Sequence, residues 1–172
     1  MANIVLEDLR SQREGLLSLG FWALLVHRFG HARYRIRSRW LRLPWTLIYL
    51  ILNKLAEIFC GIVIGGNARI GRRLVIEHHG AIVVHGGCVI GDDCVIRQGV
   101  TLGNRHMDQP LDAPRIGNGV NIGAGAKILG KVVIGDGAAI GANAVVLCDV
   151  PAGCLAVGVP AVVKRPKSAL PT

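Results

Sequence analysis

At 172 residues the chain holds one domain and an appendage, and 23 glycines with only 5% aromatic residues suit a β-solenoid better than a sandwich built on an aromatic core. The net charge of +9 invites a nucleic-acid role, but the basic residues form no known nucleic-acid motif, which argues against one. Five cysteines are an odd number without a disulfide-framework spacing, so they read as reduced thiols of a cytoplasmic protein.

The N-terminus opens with mixed charge in Glu7, Asp8 and Arg10, unlike a cleavable signal peptide. Residues 5–42 carry helical spacing in Leu16, Leu19, Phe21, Leu24 and Leu25, with Gly15, Gly20 and Gly30 as candidate breaks. Arg28, Arg33, Arg35, Arg37, Arg39 and Arg42 then interleave with Tyr34, Ile36, Trp40 and Leu41. A second helix is expected from Pro44 through Ile58, because proline suits a first helical turn. Lys54 and Glu57 interrupt its apolar run, so a bilayer span is not expected. Residues 1–60 therefore read as a helical cap on the rest of the chain, either alone or with an Arg/Trp face that also touches anionic lipid.

From Ile64 an aliphatic returns every six residues: Ile70, Ile76, Val84, Ile90, Ile96, Leu102, Ile116, Ile122, Ile128, Ile134, Ile140 and Val146. Two positions earlier stands a small or apolar residue, as in Ala68, Cys88, Cys94, Val100, Ala126 and Ala144. A period of six fits neither helix nor simple strand alternation, but it fits the hexapeptide repeat of a parallel β-helix. The repeats amount to slightly more than four coils, with residues 61–172 forming the solenoid and its tail. Glycines such as Gly71, Gly91 and Gly123 are expected to permit tight turns. Two steps are overlong: one carries Glu77-His78-His79-Gly80, the other runs from Gly103 to Pro114. Insertions in a solenoid map to outside loops, where sites are built. The tail, with Pro151, Gly158-Val159-Pro160-Ala161 and Lys164, suits a terminal strand capping the last coil or a ligand contact.

Gly20 to His31, Ile76-Glu77-His78, Val100 to Gly103, Ile122 to Gly130 and Gly158 to Ala161 together resemble the serine acetyltransferases. The Glu7-Asp8-Leu9-Arg10 opening and the stretch Arg97 to Arg105 resemble more closely the colanic-acid-type exopolysaccharide acyltransferases of the same superfamily. The resemblance implies an all-β fold, a left-handed parallel β-helix behind an N-terminal α-helical segment. It also implies a homotrimer, with acetyl-CoA as co-substrate between adjacent prisms and no metal. His78 would be the general base, and Gly103, Ala124 and Ala142, one coil apart, with Gly158 and Lys164, would contact the cofactor. An imidazole titrates near neutrality and can activate a hydroxyl, so the residue type fits the role.

The sequence departs from that family where the acceptor is held. A carboxylate that would orient the histidine is Val63 here, and an arginine and a histidine that would grip serine are Asp112 and Ala113. Glu77 is then a candidate to orient His78, while His79, Arg105, His106 and Asp108 are candidates for the acceptor pocket. The terminus Pro171-Thr172 lacks the isoleucine used to dock cysteine synthase, so that partner is not expected. The acceptor is serine, a serine-like molecule or a sugar hydroxyl of a polysaccharide precursor. His78, His79 and His85 also raise a metal hydrolyase resembling γ-type carbonic anhydrases, and a non-catalytic scaffold is the remaining reading.

Overall fold

The computed structural model describes residues 2–165, so Pro171 and Thr172, on which the expectation about cysteine synthase rests, lie outside the described residues. Three helices come first: α1 Ala2–Ser11, α2 Leu19–Ala32 and α3 Arg39–Cys60. Ser18 caps α2, its Oγ accepting from the Phe21 amide at 3.2 Å. Gly20 and Gly30, expected as breaks, lie inside α2 and serve as contact points instead. A Cβ on Gly20 would stand 2.6 Å from Ile76, and one on Gly30 would stand 2.1 Å from the Tyr49 ring. Helix α3 begins at Arg39 rather than at Pro44, which it carries inside. Gly61, in the left-handed conformation at φ 63°, closes α3 and turns the chain into the solenoid.

Five coils make up the solenoid. The first holds β1 Ile62–Ile64, β2 Arg69–Ile70 and β3 Val75–Glu77; the second holds β4 Ile82–Val84, β5 Val89–Ile90 and β6 Val95–Arg97. The third holds β7 Thr101–Gly103, β8 Arg115–Ile116 and β9 Asn121–Ile122; the fourth holds β10 Lys127–Leu129, β11 Val133–Ile134 and β12 Ala139–Ile140. The fifth is built from β13 Val145–Val146, a bridge from Val150 to Ile134, and β14 Leu155–Val157. A last strand, β15 Val162–Lys164, folds back antiparallel on β14. The strands stack into three flat faces of five, four and six strands, in a left-handed parallel β-helix. The repeat count fell short of five coils because Val150 and β14 complete the last one without the hexapeptide signature.

Inside the prism the periodic aliphatics meet their small partners. Ile122, Ile128, Ile134, Ala126, Ala138 and Ala144 are fully buried, and so is Cys94. The five cysteines are free, and burial pushes the Cys88 thiol up to about 12, so it behaves as a small apolar side chain. Where a glycine follows the aliphatic, as at Gly71, Gly91 and Gly123, it is needed for close stacking rather than for its own turn angle. A Cβ on Gly123 would stand 2.6 Å from the Ala142 amide nitrogen of the next coil.

The cap is tied to the first coil by α1. Asp8, 2% exposed, meets Arg28 Nε at 3.0 Å and accepts from the Arg73 amide at 3.1 Å, while Arg28 also donates to the Ile70 carbonyl at 2.6 Å. Glu7 pairs with Arg72 and Arg73 beside it, which lowers its pKa, chiefly through the Arg72 hydrogen bond. Gln12, also buried, acts as a borrowed piece of strand. Its Nε2 donates to the Leu74 carbonyl at 2.7 Å and its Oε1 accepts from the Ile76 amide at 3.2 Å.

His27 is buried in the cap with its Nδ1 unpartnered among the described residues. Burial first, then the charges of Arg28 and His31, pushes it down from 6.5 to about 4. Between those values the unfolded chain binds a proton that the folded one refuses. Stability is therefore full above the unfolded value and falls as pH drops towards about 4, by up to roughly 3 kcal/mol. Denaturant melts between about pH 7 and pH 5 should show this slope, and His27→Leu should flatten it; an unchanged slope in the variant would assign it to other groups.

Candidate active site

Strand register places some of the sequence-derived residues along one corner of the prism. Pairing runs Ile76 to Ile96, Ile96 to Ile122, Ile122 to Ile140, and Ile140 to Ala156. Two residues on, the column continues through Gln98, Ala124, Ala142 and Gly158. The amide of Gly125 donates to Gln98 and that of Asn143 to Ala124, both at 2.8 Å, so the register holds through the turn. Successive members lie about 4.8 Å apart, as neighbouring strands do.

At the head of this column the ladder opens. Glu77 still pairs with Arg97, yet the next contact is the Gly99 amide donating to Gly80 at 2.9 Å. His78 and His79 are thus the two extra residues of the overlong step, looped out with no partner strand. His78 is held at φ 58°, a left-handed conformation that non-glycine residues seldom adopt and that concentrates at functional sites. Both imidazoles are exposed.

A cleft of about 520 Å³ opens there, lined by Glu77, His78 and His79 from the bulge and by Gln12, Arg13, Glu14, Ser18 and Gly20 from the cap. The residue pattern did not point to this cap wall. Its one local signal is Gly20, at the head of the Gly20-to-His31 stretch, whose missing side chain lets α2 touch Ile76. Glu77 stands in this cleft, but its carboxylate is engaged by Arg97, whose Nε lies 2.9 Å from Oε2. Val63 faces outward beside Val83, so no carboxylate occupies that position of the neighbouring face.

The other candidates fall elsewhere. Arg105, His106 and Asp108 are exposed on the excursion that leaves β7, held by turns in which Gln109 donates to His106 and Asp112 to Gln109. That loop springs from the opposite edge of the face from the histidine bulge, about 16 Å away across five extended residues. Gly103 belongs to this second edge, since it pairs with Leu129, and is not one coil from Ala124 as expected. The reason is the strand between them: Gly103 ends β7, whereas Ala124 precedes β10. His85 stacks under Gly103 on the same far edge, its Nδ1 accepting from the Gly87 amide at 3.1 Å, so it does not join His78 and His79. Among the described residues no three His, Cys, Asp or Glu side chains gather as a metal site would need. Ala124, Ala142 and Gly158 offer a narrow strip without long side chains, whereas Lys164, exposed on β15, pairs with Leu155 at the opposite end of β14 from Gly158.

Comparison with known proteins finds relatives in both sequence and fold. The bacterial transferase hexapeptide (six repeats) pattern matches residues 113–148. A serine acetyltransferase of Synechococcus elongatus is 39% identical over 161 residues, 91% of this chain, which spans 63% of that protein. The putative colanic acid biosynthesis acetyltransferase WcaB of Escherichia coli is 40% identical over 165 residues, covering 93% of this chain and 98% of WcaB. Soybean serine acetyltransferase complexed with serine superposes with a TM-score of 0.83 at 36% identity, over 94% of this chain and 68% of that one. The serine acetyltransferase of Brucella abortus in complex with coenzyme A gives 0.83 at 29% identity, over 94% and 66%.

Proposed function

Because the chain belongs to the serine acetyltransferase family of hexapeptide transferases, we propose that it moves an acetyl group from acetyl-CoA to a hydroxyl, with His78 as general base. The observation that carries this reading is the histidine bulge at the head of the Ala124–Ala142–Gly158 column. An extended thioester laid along that strip brings its carbonyl to His78, with Gly158 towards the charged end of the cofactor.

The imidazole of His78 takes the proton of the acceptor hydroxyl as its oxygen attacks the thioester carbonyl. The C–S bond of the tetrahedral intermediate then breaks, and the imidazolium returns the proton to the thiolate. The amides of His79 and Gly80, which make no backbone hydrogen bond among the described residues, would receive the oxyanion. A second copy is required to bring the loop of Arg105, His106 and Asp108 over the bulge, because one chain holds the two at opposite edges. The outward column of that face, Val63, Val83, Thr101, Lys127 and Val145, would meet its copies in such a homotrimer, with the Lys127 ammonium held by the Thr101 hydroxyl at 3.1 Å between its apolar ends.

The acceptor wall combines Arg13, Glu14 and Glu77 in one cleft, with Asp112 and Ala113 where a serine-specific grip would stand. A sugar hydroxyl of a polysaccharide precursor therefore fits as well as serine, and the near-complete coverage of WcaB favours it. The test is thiol release from acetyl-CoA against serine, homoserine, nucleotide sugars and oligosaccharides. Release should exceed the acceptor-free rate with a saccharide hydroxyl, and Ala142→Arg should raise the KM for acetyl-CoA by roughly tenfold or more with the fold intact. No release with any hydroxyl, or an Ala142→Arg enzyme with unchanged KM, would contradict the reading.

A further inference from the structure

Outside the site, the outer face of α3 presents a row of exposed large apolar side chains. On a helix of 3.6 residues per turn, Trp40, Leu47, Ile48, Ile51, Leu55, Ile58 and Phe59 fall on one side, and all are exposed, Trp40 at 87% and Phe59 at 71%. At 22 residues the helix is about 33 Å long, and by length and composition it could cross a membrane. Its inner face argues otherwise. Trp45 stacks on Phe29 at 4.5 Å and donates to its carbonyl at 3.0 Å, Tyr49 is buried beneath Gly30, and Cys60 sits in the solenoid core. Insertion across a bilayer would strip these contacts and immerse Lys54.

Charge identifies what lies against the outer face. From Gly15 to Ala56 the chain has no acidic residue but carries Arg28, Arg33, Arg35, Arg37, Arg39, Arg42 and Lys54. Arg28 is spent on Asp8 and Arg33 lies over the Tyr34 and Tyr49 rings. Arg37, Arg39 and Arg42 are exposed, and the ion pairs among the described residues involve none of them. Arg39, Trp40, Arg42, Leu43 and Thr46 border one surface recess, pairing cations with apolar side chains as a phosphate headgroup above acyl chains would require. Packing copies of this face side by side would instead crowd like charges at the helix start.

We propose that α3 docks the protein flat on an anionic phospholipid surface, its Leu/Ile/Phe face entering the headgroup boundary and Arg37 and Arg39 at its N-terminal end meeting lipid phosphates. Such docking is separate from acetyl transfer and does not depend on it. The test is flotation of the full chain with phosphatidylcholine vesicles with and without phosphatidylglycerol. Binding should require the anionic lipid and weaken with salt. The double variant Arg37→Glu/Arg39→Glu should weaken it by at least roughly 25-fold, at about fivefold for each arginine near such a surface. Ile51→Asp/Ile58→Asp should abolish it, with sedimentation and thiol release to a soluble acceptor unchanged in both variants. Equal recovery on neutral vesicles or no flotation would overturn the proposal. So would resistance to carbonate extraction, which marks a spanning helix, or a smaller assembly for Ile51→Asp/Ile58→Asp, which marks a seam between copies.

Discussion

Replacing His78 with asparagine is expected to lower turnover by roughly two to four orders of magnitude, the usual worth of a positioned general base. Asparagine is the informative replacement because it tolerates the left-handed backbone that His78 adopts at φ 58°, so the bulge keeps its shape. Acetyl-CoA binding, which rests on the Ala124–Ala142–Gly158 strip, should persist, and so should the assembly. His79→Asn should cost less, since its proposed part is in the acceptor pocket and not in the proton transfer. Chelators should leave the rate unchanged. Near-full activity in His78→Asn, or abolition by a chelator, would remove the proposed mechanism.

The second large effect concerns the cap. Asp8→Ala is expected to destabilise it by about 3–5 kcal/mol, because Arg28 would keep its charge in a buried site without its carboxylate. Two backbone carbonyls still accept from Arg28, which places the value towards the lower end. Trp22, Trp40 and Trp45 all lie in the cap, so tryptophan fluorescence reports its unfolding separately from the solenoid. The denaturation midpoint by fluorescence should fall well below that of the wild type. Because α1 leads directly into Gln12, Arg13 and Glu14, the same variant should raise the KM for the acceptor more than that for acetyl-CoA. An unchanged fluorescence midpoint would show that Asp8 does not anchor the cap.

Much of this architecture is legible in the chain because the solenoid core is periodic. Ile122, Ile128 and Ile134 announce their burial by spacing alone, and so do the inward thiols Cys88 and Cys94. The histidine bulge was legible for the same reason: an extra pair of residues in a strict period has nowhere to go but outward. What the period does not encode is which residues of successive coils become neighbours once insertions shift the count. The Glu77–Arg97 pair depends on a twenty-residue coil, and Gly103 was misplaced because the excursion after it hides which edge it occupies. The grip of α1 was hidden for a different reason. Glu7, Asp8 and Gln12 act on Arg72, Arg73, Leu74 and Ile76, more than sixty residues away, through polar contacts that leave no repeat behind. Gly20 and Gly30 misled similarly, since a glycine that ends a helix and one that lets another element approach are the same letter.

The most direct measurement follows an isotopically labelled acetyl group from acetyl-CoA, with product NMR to find the atom that carries it. The label is expected as an ester on an acceptor hydroxyl, formed in proportion to free thiol by the native enzyme and lost almost entirely in His78→Asn. Label found only in free acetate or on CoA with every hydroxyl acceptor, or ester formed equally by both enzymes, would contradict acetyl transfer by this histidine.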